Sequence, residues 1–320
     1  MKKITLGNTG EMISCMGLGT MYFGTKVDEK TSFQILDYYT AQGGSFLDTA
    51  NKYACWIPGF QGGESEILLG KWMKQSANRN NLFVASKVGF PYGNIPRSLK
   101  RALIISECEK SLKRLGVETI DLYFAHAFDS ETPPEETMEA FHQLKKEGKI
   151  RFAGASNFYA WQLSEANAAA NIMGWEGFTC IQQRHTYLEP LMRTKFGTQL
   201  LLTPELQDFC AKKNLTIIAY SPLLGGAYSR SEIPVPDEYQ NWTTEHRLTR
   251  LKIIADEQLV SPNAVVLAWM MQSSPSVIPL VSGSSTFQLK ENLQALEVKL
   301  SGKQLELLNE EMTQPNKFRE

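Results

Sequence analysis

The stretch "LFVASKVGFPYGNIPRSLKRALIISECEKSLKRLG", Leu82 to Gly116, predicts a strand followed by a helix. Leu82–Gly89 is a short apolar run without strict alternation, which is typical of a strand covered on both faces. Ser98–Gly116 has an amphipathic helical pattern and ends on glycine, a common residue just after a helix. A strand followed by a helix is the unit from which parallel sheets are built.

The same unit recurs along the whole chain. The predicted strands are Met16–Gly19, Ser45–Ala50, Leu82–Gly89, Ile120–His126, Ile150–Ser156, Phe178–His185, Leu215–Pro222 and Ser276–Gly283. The clearest other helical patterns are Asp28–Ala41, Pro134–Glu147, Tyr159–Ala170, Pro204–Lys213 and His246–Leu259. About eight such units without a linker predict an α/β (β/α)8 TIM barrel in which residues 1–320 form a single domain. A doubly wound sheet would need fewer strands or an appended domain, and no composition break marks one.

The composition excludes several classes of partner. Hydrophobic residues make up 42% of the chain, charged residues 21%, and the formal net charge is −1. Neither nucleic acid nor an anionic membrane is therefore an expected partner. The five cysteines are odd in number without a CxxC pair, and the four histidines lack metal-ligand spacing, so we expect no disulfide framework and no metal site. The same cysteine pattern leads us to expect a protein of the reducing cytoplasm. No apolar run resembles a signal peptide or a membrane helix.

Two predicted connections are unusually long. Tyr53–Gly63 follows the second strand and Leu223–Glu245 follows the seventh. Both would lie on the carboxyl-terminal face of a barrel, where barrel enzymes place their chemistry. The segment after the last strand, residues 284–311, predicts two further helices, with Ser301 as the N-cap of the second.

Polar residues stand at the ends of three neighbouring predicted strands. Asp48 ends the second strand and Tyr53 follows it, Lys87 lies in the third, and His126 ends the fourth. We expect Asp48 to neutralise Lys87, and Lys87 to lower the pKa of Tyr53 so that it serves as a general acid. Each residue alone also has a structural explanation, such as a helix cap, an ion pair, a core histidine or loop packing. Four such coincidences on adjacent strands favour a site.

These residues and their flanks, "DTANKYA", "SKVG" and "LYFAHAFD", resemble the Asp-Tyr-Lys-His tetrad of the aldo-keto reductases. The resemblance extends from "MGLGTMYFG" to "QLKENLQAL", nearly the whole chain. It implies a TIM barrel with an N-terminal hairpin and C-terminal extra helices, which binds a nicotinamide dinucleotide without a Rossmann domain. "GLGTMYFG" is thus not a dinucleotide fingerprint, since its third glycine is missing. Its glycines would let the backbone approach the nicotinamide, with Thr20 and Met21 at the rim.

The resemblance also implies cofactor contacts. Ser156, Asn157 and Gln182 would bind the nicotinamide carboxamide, with Gln183 as the neighbouring alternative to Gln182. Tyr220 would stack on the nicotinamide ring. The remaining cofactor positions are Asp48, which also belongs to the tetrad, and Ser221, Leu223 and Gly225, whose backbone would cross the pyrophosphate.

The segment "SGSSTFQLKEN" departs from the family pattern. Ser284 occupies the place where relatives carry an arginine that grips the 2′-phosphate of NADP, so the usual fork-shaped cation is missing. The resemblance favours NADP(H), and this departure leaves NAD(H) open. The other residues expected at this adenosine end of the cofactor are Ser282, Gln288, Glu291 and Asn292.

A second departure, "IQQRHTYLEP", places Arg184 near the barrel mouth. Arg184 would contact a polar or anionic group of the substrate, or it forms a surface ion pair. Trp56, Phe60 and Phe128 would supply aromatic walls, which suit sugars and hydroxylated aldehydes as well as aryl carbonyls.

The resulting hypothesis is NAD(P)H-dependent reduction of an aldehyde or ketone by a cytoplasmic oxidoreductase, with hydride from nicotinamide C4 and a proton from Tyr53. His126 would orient the carbonyl oxygen. One alternative is a cofactor-binding, redox-sensing regulatory subunit with little turnover. Another is a barrel isomerase or aldolase that uses Lys87 as a Schiff-base nucleophile. The substrate's identity, the reaction direction and the oligomeric state stay open.

Overall fold

Eight parallel strands form a closed barrel in the computed structural model, which describes residues 1–310. Around the barrel the order is β10-β3-β4-β5-β6-β7-β8-β9. The hairpin strands are β1 (Lys3–Thr5) and β2 (Met12–Ser14). The barrel strands are β3 (Gly17–Gly19), β4 (Phe46–Asp48), β5 (Phe83–Val88), β6 (Ile120–Ala125), β7 (Ile150–Ser156), β8 (Cys180–Arg184), β9 (Thr216–Tyr220) and β10 (Val277–Val281). The predicted (β/α)8 barrel is confirmed, and each strand lies within its predicted range.

Ten α-helices accompany these strands in the described residues. They are α1 (Glu29–Ala41), α2 (Glu64–Ser76), α3 (Arg101–Leu115), α4 (Pro134–Lys146), α5 (Ala160–Ile172), α6 (Pro204–Lys213), α7 (Thr244–Gln258), α8 (Pro262–Gln272), α9 (Thr286–Leu293) and α10 (Gly302–Asn309). The last two are the predicted C-terminal helices, and Ser301 caps α10 by accepting a 3.2 Å hydrogen bond from Gln304 N. Glu311, the final residue of the predicted extension, lies outside the described part of the chain.

The hairpin closes the amino-terminal end of the barrel. Strands β1 and β2 pair antiparallel, with Lys3 opposite Ser14. Gly7 N donates to Thr216 Oγ1 at 2.6 Å, which ties the hairpin to the first residue of β9. Leu6 and Ile13 are fully buried in the apolar cluster inside the barrel. This end is therefore plugged, and the carboxyl-terminal mouth is left for a site.

The barrel interior explains one of the glycines near the start of the chain. A Cβ on Gly17 would lie 2.5 Å from Leu280 Cδ2 and 2.7 Å from a ring carbon of Phe46. Both neighbours are buried side chains of the core, so Gly17 is required by packing at this position. A Cβ on Gly19 would meet only Val281 O, at 3.6 Å. Of the two, only Gly19 leaves open space of the kind expected beside a nicotinamide.

Among residues 1–310, no helix has the length and apolar character needed to cross a membrane. The same residues contain no group of three or more His, Cys, Asp or Glu side chains placed to hold a metal ion.

Candidate active site

The predicted catalytic residues meet at the carboxyl ends of β4, β5 and β6. Asp48 is the last residue of β4, Lys87 is the penultimate residue of β5, and His126 directly follows β6. Lys87 is in register with Phe124 of β6, so the ends of neighbouring strands lie at similar heights. Tyr53 reaches the same place from the turn after β4. The barrel brings the four side chains together because parallel strands all end at one mouth.

Lys87, Asp48 and Tyr53 form a closed hydrogen-bonded group. The Lys87 ammonium lies 2.5 Å from Asp48 Oδ1, 2.7 Å from the Thr49 carbonyl oxygen and 2.7 Å from the Tyr53 hydroxyl. The Tyr53 hydroxyl donates to Asp48 Oδ1 at 2.9 Å. Lys87 and Asp48 are both fully buried. A buried ammonium needs this pairing, because its desolvation is otherwise very costly.

The expectation that Lys87 lowers the pKa of Tyr53 is wrong for this structure. Burial raises the pKa of the Tyr53 hydroxyl well above its usual value of 10.0, and the nearby Asp48 carboxylate raises it further. Burial also lowers the pKa of Lys87, although Asp48 opposes that shift. Tyr53 therefore keeps its proton throughout the neutral range, as a proton donor must before it reacts.

His126 is a neutral imidazole at the mouth. Burial lowers its pKa well below the usual 6.5, and the positive charges of Lys87 and Lys52 disfavour its protonation further. Its ring packs edge-on against Phe90, with 4.5 Å between ring centroids, and lies 6.3 Å from the Tyr53 ring. His126 Nδ1 is buried without a hydrogen-bond partner among the described residues. A neutral imidazole can donate one hydrogen bond to a substrate oxygen.

The residues expected around the nicotinamide lie at or just after the carboxyl ends of β7, β8 and β9. Asn157 has a left-handed backbone, φ 58°, and its Oδ1 accepts from the Tyr220 hydroxyl at 2.7 Å and from Leu200 N at 3.0 Å. Its Nδ2 donates to the His126 carbonyl oxygen at 2.9 Å, and Ser156 is buried beside it. The Asn157 amide is thus occupied by protein groups that hold β6, β7 and β9 together. Gln183 supports the same turn, since its Oε1 accepts from Asn157 N at 2.6 Å.

Gln182 and Thr20 contact Asp48 from two directions. Gln182 Nε2 donates to Asp48 Oδ2 at 2.8 Å, and the Thr20 hydroxyl donates to the Asp48 carbonyl oxygen at 3.0 Å. Thr20 is fully buried and Met21 is half-buried at the mouth. The structure therefore joins these residues to the tetrad.

The loop after β9 has the backbone expected of an anion cradle. Ser221, Leu224 and Gly225 all have positive φ angles, of 55°, 48° and 72°. In the described part of the chain, no acceptor is hydrogen-bonded to the N–H groups of Leu223 and Gly225. Ser221 and Gly225 are exposed at the mouth. Unpaired N–H groups in a turn of this kind suit a phosphate, so the loop fits a dinucleotide pyrophosphate.

The segment expected at the adenosine end is the loop before α9. Ser284 N and Oγ both donate to Gln288 Oε1, at 2.8 and 3.3 Å. Asn292 Nδ2 donates to the Ser282 carbonyl oxygen at 3.4 Å, and Glu291 is half-buried. Gln288 and Asn292 therefore hold this loop against the helix, with Ser284 exposed.

The predicted substrate walls separate into two groups. Trp56 is exposed and Phe60 is half-buried in the loop after β4, on the same side as Tyr53. Phe128 instead packs against Phe158 and Trp161, with centroid distances of 5.5 and 5.9 Å.

Arg184 joins two loops of the mouth. Its Nε donates to the Tyr239 hydroxyl and its Nη1 to Gln199 Oε1, both at 2.8 Å, while the guanidinium lies 4.3 Å from the Phe196 ring centroid. No carboxylate pairs with it within residues 1–310, so the structure does not contain the ion pair considered above. The sequence analysis did not single out Phe90, which packs on His126, or Lys52, which contacts Phe90. The adjacency of Lys52 to Tyr53 was the available signal.

Comparison with known proteins identifies the family. The family model for the aldo/keto reductase family matches residues 15–311. The uncharacterised oxidoreductase YrpG of Bacillus subtilis (strain 168) is 33% identical, over 95% of this chain and 94% of its own. The aldo-keto reductase yakc [NADP(+)] of Schizosaccharomyces pombe is 30% identical, over 90% of this chain and 83% of its own.

Two further relatives bear on chemistry and fold. An aryl-alcohol dehydrogenase [NADP(+)] of Phanerodontia chrysosporium is 27% identical over 95% of this chain and 79% of its own. The crystal structure of a thermostable aldo-keto reductase, Tm1743, in complex with the inhibitor epalrestat superposes with a TM-score of 0.76. It is 30% identical and covers 96% of this chain and 98% of its own. The chain is therefore an NAD(P)-dependent oxidoreductase that belongs to the aldo/keto reductase family.

Proposed function

We propose that the protein reduces an aldehyde or ketone to the alcohol with NADPH, and that Tyr53 supplies the proton. One observation carries this proposal: the Tyr53 hydroxyl lies 2.7 Å from the Lys87 ammonium and 2.9 Å from Asp48 Oδ1, beside a neutral His126. This arrangement holds a protonated phenol at the mouth with its oxygen fixed on one side by an ammonium.

Each tetrad residue then has a separate task. The nicotinamide, when bound, supplies the hydride. Tyr53 gives its proton to the oxygen of the reacting carbonyl. Lys87 donates a hydrogen bond to the Tyr53 oxygen and so stabilises the negative charge that develops there as the proton leaves. Asp48 keeps the Lys87 ammonium charged, and His126 donates a hydrogen bond that orients the carbonyl oxygen.

The cofactor would lie across the mouth from β7 to α9. The proposed contacts are Ser156 and Gln182 near the carboxamide, Tyr220 against the ring, and the N–H groups of Leu223 and Gly225 on the pyrophosphate. Asn157 would position this part of the site and not bind the carboxamide itself, because both ends of its amide are hydrogen-bonded to protein groups. NADP(H) is favoured because two of the relatives above carry NADP(+) in their names. The exposed Ser284, which takes the place of a phosphate-binding arginine, leaves NAD(H) as the second candidate.

The substrate would be a small carbonyl compound. Half-buried aromatic side chains around few polar groups accommodate aryl aldehydes as well as sugars or hydroxylated carbonyls. One relative is named an aryl-alcohol dehydrogenase, which favours including aryl aldehydes in any first panel. Lys87 is fully buried and paired with Asp48. That placement argues against its use as a Schiff-base nucleophile.

The decisive experiment combines two measurements on the whole chain. Fluorescence titration with NADPH and with NADH gives the two dissociation constants, and steady-state NADPH consumption is then followed with a panel of aryl, aliphatic and hydroxylated aldehydes. We expect tight NADPH binding and multiple turnovers with at least one aldehyde class. Binding without turnover on any carbonyl would instead support the regulatory subunit.

A further inference from the structure

The residue before the proposed proton donor is a lysine with an unusual placement. Lys52 is half-buried, and its ammonium lies 4.4 Å from the Phe90 ring centroid and 5.6 Å from that of Trp56. Within residues 1–310 the Lys52 ammonium donates no hydrogen bond and forms no ion pair with a carboxylate. The faces of the two rings attract the ammonium. They do not replace an oxygen acceptor, so the N–H donors of Lys52 are left unpaired.

Lys52 is close to the reacting groups. Its ammonium contacts one side of Phe90, and Phe90 packs edge-on against the His126 ring at 4.5 Å. The ammonium and the imidazole therefore contact the same aromatic ring. The proximity is also felt electrostatically, because the charge of Lys52 is one of the causes that lower the pKa of His126.

The other basic side chains described at this mouth are paired with a carboxylate, uncharged, or already hydrogen-bonded to neutral protein groups. Lys87 is paired with Asp48, and His126 is uncharged. Arg184 is stacked on Phe196 and donates to Tyr239 and Gln199. No carboxylate in the described part of the chain is paired with Lys52. Its positive charge therefore faces the space beside His126, where partial burial strengthens the attraction for an anion.

We propose that Lys52 is a specificity-determining residue for carbonyl substrates that carry a carboxylate, and that it binds this carboxylate between Phe90 and Trp56 while the carbonyl group faces Tyr53 and His126. The inference rests on the proposed carbonyl reduction and adds the class of substrate. Aromatic aldehydes with a carboxylate across the ring suit the geometry, since their ring can pack on Phe90 and Trp56.

The test compares 4-carboxybenzaldehyde with its methyl ester, methyl 4-formylbenzoate, in which the para substituent is uncharged and one methyl group larger. We expect kcat/KM for the acid to exceed that for the ester by at least about tenfold, the size of a hydrogen bond to a charged group. Lys52→Met is expected to bring the ratio close to one, and Lys52→Arg to keep most of it. Lys145→Met, which removes a lysine from the Phe152 ring near the amino-terminal end of β7, is the matched control and should leave the ratio unchanged.

A second measurement separates this inference from the proposed function. Calorimetric titration of the protein with benzoate and with benzamide, at low ionic strength, needs no turnover. Benzoate should bind at least about tenfold more tightly than benzamide, and Lys52→Met should abolish the difference. Carboxylate binding without reduction of any aldehyde would refute the proposed function and support the anion site. Equal binding of the two, or a preference that survives in Lys52→Met, would overturn the inference even if aldehydes are reduced.

Discussion

Asp48 and Gln182 are joined by a hydrogen bond across the full width of the barrel, with Gln182 Nε2 2.8 Å from Asp48 Oδ2. Strands β4 and β8 are diametrically opposite, because three strands separate them on either side. The carboxylate of Asp48 is therefore held by both oxygens: Lys87 and Tyr53 share Oδ1, and Gln182 occupies Oδ2. The ion pair between Lys87 and Asp48 is therefore held in place by hydrogen bonds from both sides of the barrel mouth.

Replacing Gln182 should affect stability in a pH-dependent way. Gln182→Glu keeps the shape of the side chain but places a second carboxylate against Asp48. We therefore expect the free energy of unfolding to fall by roughly 2–4 kcal/mol at pH 7. At pH 5 the loss should be smaller, because a protonated Glu can donate to Asp48 as the amide does. Urea unfolding of variant and wild type at both pH values measures this. Gln182→Met, which cannot titrate, is the control, and its loss should be the same at the two pH values. A Gln182→Glu loss that does not change with pH would contradict the account.

A buried neutral histidine predicts acid sensitivity. Burial lowers the pKa of His185 to about 4, and its ring packs 5.3 Å from that of Trp269. In the unfolded chain the pKa is about 6.5, so the unfolded state binds more protons between pH 6.5 and pH 4, and stability falls as pH falls through that window. The His185→Phe variant has no imidazole to protonate at this position. We therefore expect its free energy of unfolding, measured relative to wild type, to be about 1–3 kcal/mol higher at pH 5 than at pH 8.

The control for this experiment is His246→Gln, which replaces an exposed histidine. Its difference from wild type in unfolding free energy should be the same at both pH values. If His185→Phe and wild type lost stability in parallel between pH 8 and pH 5, the burial of a neutral His185 would be disproved.

Arg184 should restrain the motion of the loops that follow β8 and β9 at the barrel mouth. It connects the loop after β8, through Gln199 and Phe196, to the loop after β9, through Tyr239. Arg184→Ala should raise amide hydrogen exchange in residues 186–202 and 228–243 by about tenfold, since two hydrogen bonds to a charged group are lost. Arg184→Lys should not restore protection, because an ammonium cannot reproduce the planar fork.

Mass-spectrometric hydrogen exchange measures this effect, with Arg193→Ala in the same loop as a control that removes an exposed arginine. The substrate role considered from the sequence makes a different prediction: Arg184→Ala would raise KM for anionic aldehydes only and leave exchange unchanged. That result would replace the structural role proposed here.

Much of the fold was predictable from local pattern, and the exceptions have physical causes. All eight barrel strands lie inside their predicted ranges because buried parallel strands form continuous apolar runs. Helices α2 and α8 were not singled out. In α2 the fully buried face includes Ser65 and Glu66, since Glu66 is paired with Arg114, and this breaks the apolar period. Helix α8 is apolar nearly all round, so it has no period to detect.

The candidate site was predictable in position but only partly in its electrostatics. Asp48, Lys87 and His126 could be placed from the sequence, because the hydrophobic pattern predicts where the strands that carry them end. The pKa of Tyr53 depends on how deeply the hydroxyl is buried and on its contact with Asp48. Neither quantity is encoded in spacing. The arrangement of Lys52 on Phe90 likewise depends on how two loops meet.

The central claim is that the Tyr53 hydroxyl, held by Lys87 and Asp48, supplies the proton for carbonyl reduction. The most direct test is Tyr53→Phe, which removes one oxygen and keeps the ring. Steady-state NADPH oxidation with the best aldehyde and an NADPH fluorescence titration are measured on the same preparation. We predict that kcat falls by at least about 100-fold, while the dissociation constant for NADPH changes by less than about threefold. A Tyr53→Phe protein with near-normal kcat would contradict the account.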